Sequence, residues 1–295
     1  MLYTNVSDLD FEIADLPPIP APRNVLMTTP AHFQVKYVIN PHMKGNVGSV
    51  DLDTAIDQWD SLRGVYEAIG LDVRVIEGAR DLPDMVFCAN QTLPFITPDG
   101  RKGIVPSLMH APERRGEVPH FTSFFTAMGY RVLRLPSRIP DFEGMGDAIW
   151  HPSRYLLYGG HGYRSSSDAY RFISDELDVP VVLLRLVDPD FYHLDTCLCA
   201  LDERSCLIYP DAFDDDSLDM IDDLFEVVLE APEEEARRYF AVNAHCPDER
   251  HVIVPENCDT TTDILSEQGF LSIEVDTSEF LKAGGSVFCM KQMFW

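Results

Sequence analysis

Cys289 lies in the stretch Lys282-Ala-Gly-Gly-Ser-Val-Phe-Cys-Met290. A Gly-Gly pair opens backbone conformations closed to other residues and lets the chain approach a ligand closely. A thiol fed by such a turn suits a nucleophile, provided a histidine and carboxylates are brought to it. A buried core cysteine would look the same in isolation. Three other stretches hold the polar residues that could complete a site. In PDMVFCAN, Asp84 and Asn90 bracket an apolar run, and their even spacing places both on one side of an extended strand. In FEGMGDAIW, Glu143 and Asp147 flank two glycines before a strand. In FYHLDTCLC, alternation puts His193, Asp195, Cys197 and Cys199 on one face.

The histidine and cysteines of that last stretch invite a zinc reading, but no C-x2-C pair is present and a strand-borne C-x-C fits one tetrahedral ion poorly. No metal and no cofactor is expected. A structural polar network is a second reading, since buried carboxylates often satisfy backbone donors. The third is a thiol enzyme acting on a cation. A guanidinium offers five N–H donors in a fixed fork, which acidic side chains would pair. Cys289 would attack its central carbon, and His193 would protonate the departing amine and then activate water. The substrate's own charge would favour the thiolate.

These stretches need a scaffold to bring them together. From Asp53 to Gly70, apolar residues at Ile56, Trp59, Leu62, Val65, Tyr66 and Ile69 follow helical spacing, and the alternating LDVRVIE comes next. The phrase returns at FFTAMG–YRVLRL and ILSEQG–FLSIEV, with weaker copies near 172–186 and 223–232. Five helix-to-strand joints without a Pro/Gly/Ser linker predict one repeat-built α/β domain over residues 25–295, after an irregular arm over residues 1–24.

The net charge of −26 argues against nucleic acid and against anionic membrane as partners, because phosphate binding needs Lys and Arg. It fits either a salt-adapted host or ordinary surface solubility. No apolar run approaches a membrane span. The acidic N-terminus lacks the pattern of a secretory leader, and seven cysteines in a chain of 295 residues suit a reducing cytoplasm.

At these residues the sequence resembles the pentein superfamily of guanidino-group modifying enzymes, and within it the cyanobacterial-type arginine dihydrolase domain. The matching stretches, over about residues 25–292, are YVINPHMKGN, PDMVFCAN, FEGMGDA, GHGYRS, LRLVDPDFYHLDTCLC and EFLKAGGSVFC. The resemblance implies a five-fold pseudosymmetric α/β propeller with the site at its centre. It implies Cys289 as nucleophile, His193 as general acid/base, and Glu143 as the carboxylate that binds guanidinium and orients His193. It further implies Asp195 on the far guanidinium nitrogens, Asp84 at the α-amino end, Arg164 on the α-carboxylate, and Asn40 in a flexible entrance segment. Asp147 joins the expected substrate-binding set. Asn90 stands where deiminases and dimethylarginine hydrolases usually carry Asp, as in the dihydrolase type. Leu108 stands near where that type has an Arg, with none available before Arg114, and His161 replaces an aromatic.

The expected activity is arginine dihydrolase, giving ornithine, ammonia and carbon dioxide. The alternatives are a deiminase or dimethylarginine hydrolase giving citrulline, an amidinotransferase, and an inactive guanidino-binding protein. The sequence given ends at Trp295, and the further C-terminal domain of some relatives is not expected.

Overall fold

A computed structural model describes residues 1–295. The first helix shows why the repeats form. Asp51 caps it, its Oδ1 accepting from the Thr54 backbone N–H at 3.0 Å. The helix Leu52–Ala68 buries Ala55, Trp59, Leu62 and Tyr66, and the chain leaves it through Gly70 at φ +87° to enter the strand Asp72–Ile76. That strand pairs in parallel with Asn24–Thr28, on the far side of the helix in sequence. Four more joints have the same design. Helices Val118–Ala127, Ser167–Leu177, Asp215–Leu224 and Asp259–Glu267 lead into strands Arg131–Val132, Val181–Arg185, Val227–Glu230 and Leu271–Val275. Each of these strands pairs in parallel with the strand preceding its helix.

The strands fall into five separate sheets. In four, the parallel pair is extended by an antiparallel strand on its other side. In the fifth, a single antiparallel bridge between His245 and Ile253 stands in that place. One apolar cluster of 77 buried residues draws side chains from all five sheets, so the units share one interior. The fold is mixed α/β. No helix is long and apolar enough to cross a membrane.

The arm is not irregular throughout. Leu2–Tyr3 forms a short strand parallel to Val181–Val182, with the N-terminal amine on the Ser174 hydroxyl. Two further expectations about local structure fail. Residues 83–90 form two 3₁₀ turns rather than a strand, and 194–196 form a third. Alternation therefore does not decide which of these side chains face together.

Candidate active site

Cys289 is 3 % exposed and follows a turn that only glycine satisfies. Gly284 has φ +81°, and a Cβ there would come within 2.9 Å of Asn40 and of the Tyr192 hydroxyl. The Tyr192 hydroxyl donates to the Gly284 carbonyl at 2.5 Å. The Cys289 thiol donates to Asp195 Oδ2 at 3.2 Å. Asn243 donates through Nδ2 to the same sulfur at 3.3 Å and to the Asp195 carbonyl at 2.8 Å. Its Oδ1 accepts from the backbone of Ser286 and Cys289. Asn243 thus fixes both the thiol's loop and its partner.

His193 approaches from a different unit. Its Nε2 lies 2.6 Å from Glu143 Oε2. A carboxylate only accepts, so Nε2 carries the hydrogen and Nδ1 is the nitrogen left free of Glu143. Nδ1 lies 3.5 Å from Asn90 Nδ2. A side chain at Gly146 would collide with that amide, which explains the second glycine of FEGMGD. Glu143 is fully buried, and its Oε1 accepts from the His110 backbone N–H at 2.9 Å. Burial favours its neutral acid, but the hydrogen bond and charge of His193, with Arg164 and Arg114, override burial and hold it at about 2. The remaining carboxyls go the other way. Burial pushes Asp195 up to about 7, against the hydrogen bond from Cys289 and the charge of Lys291. Burial, then the nearby Asp195, raise the Cys289 thiol well above its ordinary value.

Between Cys289 and His193 lies a cavity of about 20 Å³. Asn40, Asp84, Asn90, Arg164, His193 and Cys289 all line it, although they come from separate stretches. Asp84 accepts from the Tyr37 hydroxyl at 2.7 Å through Oδ2, while its buried Oδ1 has no partner within the protein. Asp195 Oδ1 is likewise buried and unpartnered. Asp84 lines the cavity, so its free oxygen is an acceptor for a donor-rich ligand, whereas Asp195 and Glu143 stand behind the lining, against Cys289 and His193. Arg164 Nη2 donates to the Ile39 carbonyl at 2.6 Å, and its guanidinium stacks 4.9 Å over the Tyr192 ring. Asn40 holds the Ala283 carbonyl at 2.9 Å.

Asp147 does not line this cavity. Its Oδ2 accepts from Ser165 at 2.6 Å and its Oδ1 from the Leu194 backbone N–H at 3.1 Å, so it anchors the chain beside His193 instead of meeting a ligand. Burial pushes it up to about 7. Leu108 and His161 also lie outside the lining; Leu108 exchanges backbone hydrogen bonds with Phe142 at 2.9 Å. Arg114 does line the cavity, a residue the sequence reading passed over. It donates to Asn90 Oδ1 at 2.9 Å and pairs with buried Glu117 at 2.9 Å. The signal for it was chemical: so many buried carboxyls require an internal cation.

Comparison with known proteins fits this geometry. The model of the eukaryotic N,N-dimethylarginine dimethylhydrolase family matches residues 42–294. The chain belongs to this family, and with it to the pentein superfamily. It is 37% identical to the dimethylarginine dimethylaminohydrolase of Mycobacterium tuberculosis over 92% of its own length and 85% of that protein. It is also 37% identical to the bifunctional arginine dihydrolase/ornithine cyclodeaminase of a Nostoc species over 90% of its length. There it spans only 37% of the relative. Among solved structures, the N-terminal domain of the cyanobacterial arginine dihydrolase ArgZ, bound to substrate, aligns with TM-score 0.85 at 37% identity. The alignment covers 92% of this chain and 97% of that domain.

Proposed function

We propose that this protein is a cofactor-independent thiol hydrolase of a guanidino amino acid, with arginine dihydrolase as its activity. The observation that carries the reading is the pairing across one cavity of a Cys289–Asp195 contact with a His193–Glu143 contact. Residues 25–295 form one catalytic domain. Five sheets of like pattern around a shared interior support a five-fold pseudosymmetric propeller, with the cavity at its centre.

A guanidinium entering the cavity would meet Asp195, beside Cys289, and the negative Glu143, beside His193. Its charge supplies a cation beside Cys289, so the thiol proton passes to His193 Nδ1 and the sulfur adds to the guanidinium carbon. His193 gives a proton to the departing ammonia, then takes one from the water that cleaves the carbon–sulfur bond. The product after one cycle is citrulline. Asn90, as an amide, both accepts and donates. It serves a cation in the first cycle and a ureido oxygen in the second, when the same carbon is hydrolysed to carbon dioxide and ammonia and ornithine remains. Arg164 would hold the α-carboxylate and Asp84 the α-amine.

The test is incubation with arginine followed by mass spectrometry that resolves ornithine from citrulline. Ornithine without accumulating citrulline supports the reading; citrulline alone makes the protein a single-step enzyme. The family match favours a second reading, hydrolysis of dimethylarginine to citrulline and dimethylamine. The same assay with dimethylarginine separates the two. A product that appears only with an added amine acceptor would point to amidino transfer.

A further inference from the structure

Asn90 and Arg114 both line the catalytic cavity, yet the proposed chemistry gives Arg114 no part. Arg114 ends the 3₁₀ turn Pro112–Arg114, and Glu117 stands three residues on, just before the helix Val118–Ala127. Both side chains are buried. Arg114 Nε donates to Glu117 Oε1 at 3.1 Å and its Nη2 to Oε2 at 2.9 Å, the two-pronged contact of a guanidinium on a carboxylate. Nη2 also donates to the carbonyls of Asp84 at 3.1 Å and Phe87 at 3.3 Å. Glu117 Oε2 accepts in addition from Gln91 Nε2 at 2.7 Å. The remaining contact of the guanidinium is from Nη1 to Asn90 Oδ1, at 2.9 Å.

A buried ion pair of this kind adds little stability over apolar residues of similar volume, because both ions lose their water. Its place in the wall of the catalytic cavity calls for another account. The decisive contact is the one with Asn90. The two ends of an amide have nearly the same shape, so its partners decide which way it points. A guanidinium has no acceptor, so the end that faces Arg114 is the oxygen. The nitrogen then points the other way, and Nδ2 lies 3.5 Å from His193 Nδ1. That ring nitrogen can accept, because Glu143 holds the hydrogen on Nε2. With the amide reversed, Oδ1 would face the lone pair of Nδ1. The Asn90 main chain is pinned as well, its carbonyl accepting from Ser107 Oγ at 2.6 Å. A chain of contacts thus runs from Gln91 through Glu117, Arg114 and Asn90 to His193 and Glu143, with every member buried.

We propose that Glu117 and Arg114 are positioning residues of the hydrolytic site. They fix the Asn90 amide with its N–H toward His193, and so keep Nδ1 an acceptor for the Cys289 proton. They act through Asn90 and not on a reacting atom. This role rests on the proposed passage of the thiol proton to Nδ1, and it names what keeps that nitrogen ready. If Arg114 only balanced the buried carboxyls, its effect would not pass through Asn90.

The paired variant Arg114→Leu/Glu117→Leu removes both charges together and leaves neither ion unpaired. Turnover of arginine and of dimethylarginine is compared in the unmutated full chain, in this variant, in Asn90→Ala and in the combination of all three changes. In the paired variant kcat should fall by about ten-fold or more with KM changed far less, since a misplaced catalytic group slows the chemistry. In the Asn90→Ala background the same two substitutions should lower kcat no further, as expected of residues that act through it. Losses that multiply in full, or a raised KM with kcat unchanged, would overturn the proposal. A second readout needs no turnover. It is the nitrogen NMR resonances of the His193 ring, assigned with His193→Ala. The Nδ1 resonance should move in the paired variant as it moves in Asn90→Ala, and a resonance that stays in place would also overturn the proposal. Glu117→Gln, which keeps the volume but loosens Arg114, should move it the same way, and this arm stands if the paired variant does not fold. Absence of turnover in the unmutated protein would instead remove the guanidino-hydrolase reading, and the ring resonance would then decide the positioning of Asn90 by itself.

Discussion

Cys289 Sγ lies 3.2 Å from Asp195 Oδ2 and directs its hydrogen there. The carboxylate therefore opposes ionisation of the thiol it faces, since a negative neighbour raises a thiol. Iodoacetamide should alkylate Cys289 slowly at neutral pH. A cationic haloacetamidine should react faster by on the order of ten-fold or more, because it brings its own positive charge. Asp195→Asn should reverse the order, with faster iodoacetamide alkylation and no guanidino hydrolysis. Equal rates for the two reagents in the unmutated protein would remove the carboxylate from the argument. Cys289→Ala should abolish turnover with the fold intact, measured by product formation and circular dichroism.

Asn243 is the residue on which the nucleophile loop rests, through three contacts to the Cys289 segment. Asn243→Ala leaves buried backbone N–H groups unpaired and should cost about 1–3 kcal/mol of stability. Turnover should fall more than the affinity for substrate, because the proposed recognition lies with the carboxylates. Chemical denaturation and steady-state kinetics together decide it; a variant that loses only affinity would contradict the role.

The buried carboxyls give the stability a defined pH profile. Asp147 titrates near 7 in the folded chain and near 3.8 when unfolded, so the folded state binds the extra proton between those values. Its contribution is greatest at acid pH and fades as pH rises through 7. Between pH 5 and 8 that loss is on the order of 2 kcal/mol. Asp195, also near 7, acts in the same direction. Glu143, held at about 2, contributes stability above pH 4.5 that disappears as pH falls toward 2. The melting temperature should peak in mildly acidic solution. Asp147→Asn keeps the contact to the Leu194 N–H and should flatten the decline from pH 5 to 8. An equally steep decline in that variant would place the titrating group elsewhere.

Asn90 faces Arg114 through Oδ1 and His193 through Nδ2. Asn90→Asp preserves the pairing with Arg114 and removes the donor. The product should then shift from ornithine toward citrulline with the first hydrolysis retained, read by mass spectrometry over time. An unchanged ratio would free Asn90 of any part in the second cycle.

Much of this architecture was legible because its signals are local. A helix that buries Trp59, Leu62 and Tyr66 and ends at Gly70 announces itself within twenty residues, and the same holds at Gly129 and Gly269. The residue types around Cys289 were legible for the same reason. What escaped depends on contacts distant in sequence. Asn243 meets Cys289 across 46 positions, and nothing in AVNAHC distinguishes it from a loop asparagine. The alternation read into FYHLDTCLC fails because the Thr196 hydroxyl and backbone both turn back to the His193 carbonyl while Asp147 captures the Leu194 N–H. Asp147 was read differently. The two glycines between it and Glu143 suggested a turn that approaches a ligand, whereas its oxygens are spent on Ser165 and Leu194.

The cavity at Cys289 holds about 20 Å³, little more than one water. An amino acid can enter only if the segment of Ile39 and Asn40 lets go of Arg164 and Ala283. That latch sets up a race. In the proposed double hydrolysis, a half-processed molecule would, after the first ammonia departs, either escape when the latch opens or be attacked again while it stays shut. The proportion of ornithine to citrulline then measures dwell time as much as chemistry. Loosening the latch, by Asn40→Ala for instance, would let more of the intermediate out without touching a single reacting atom.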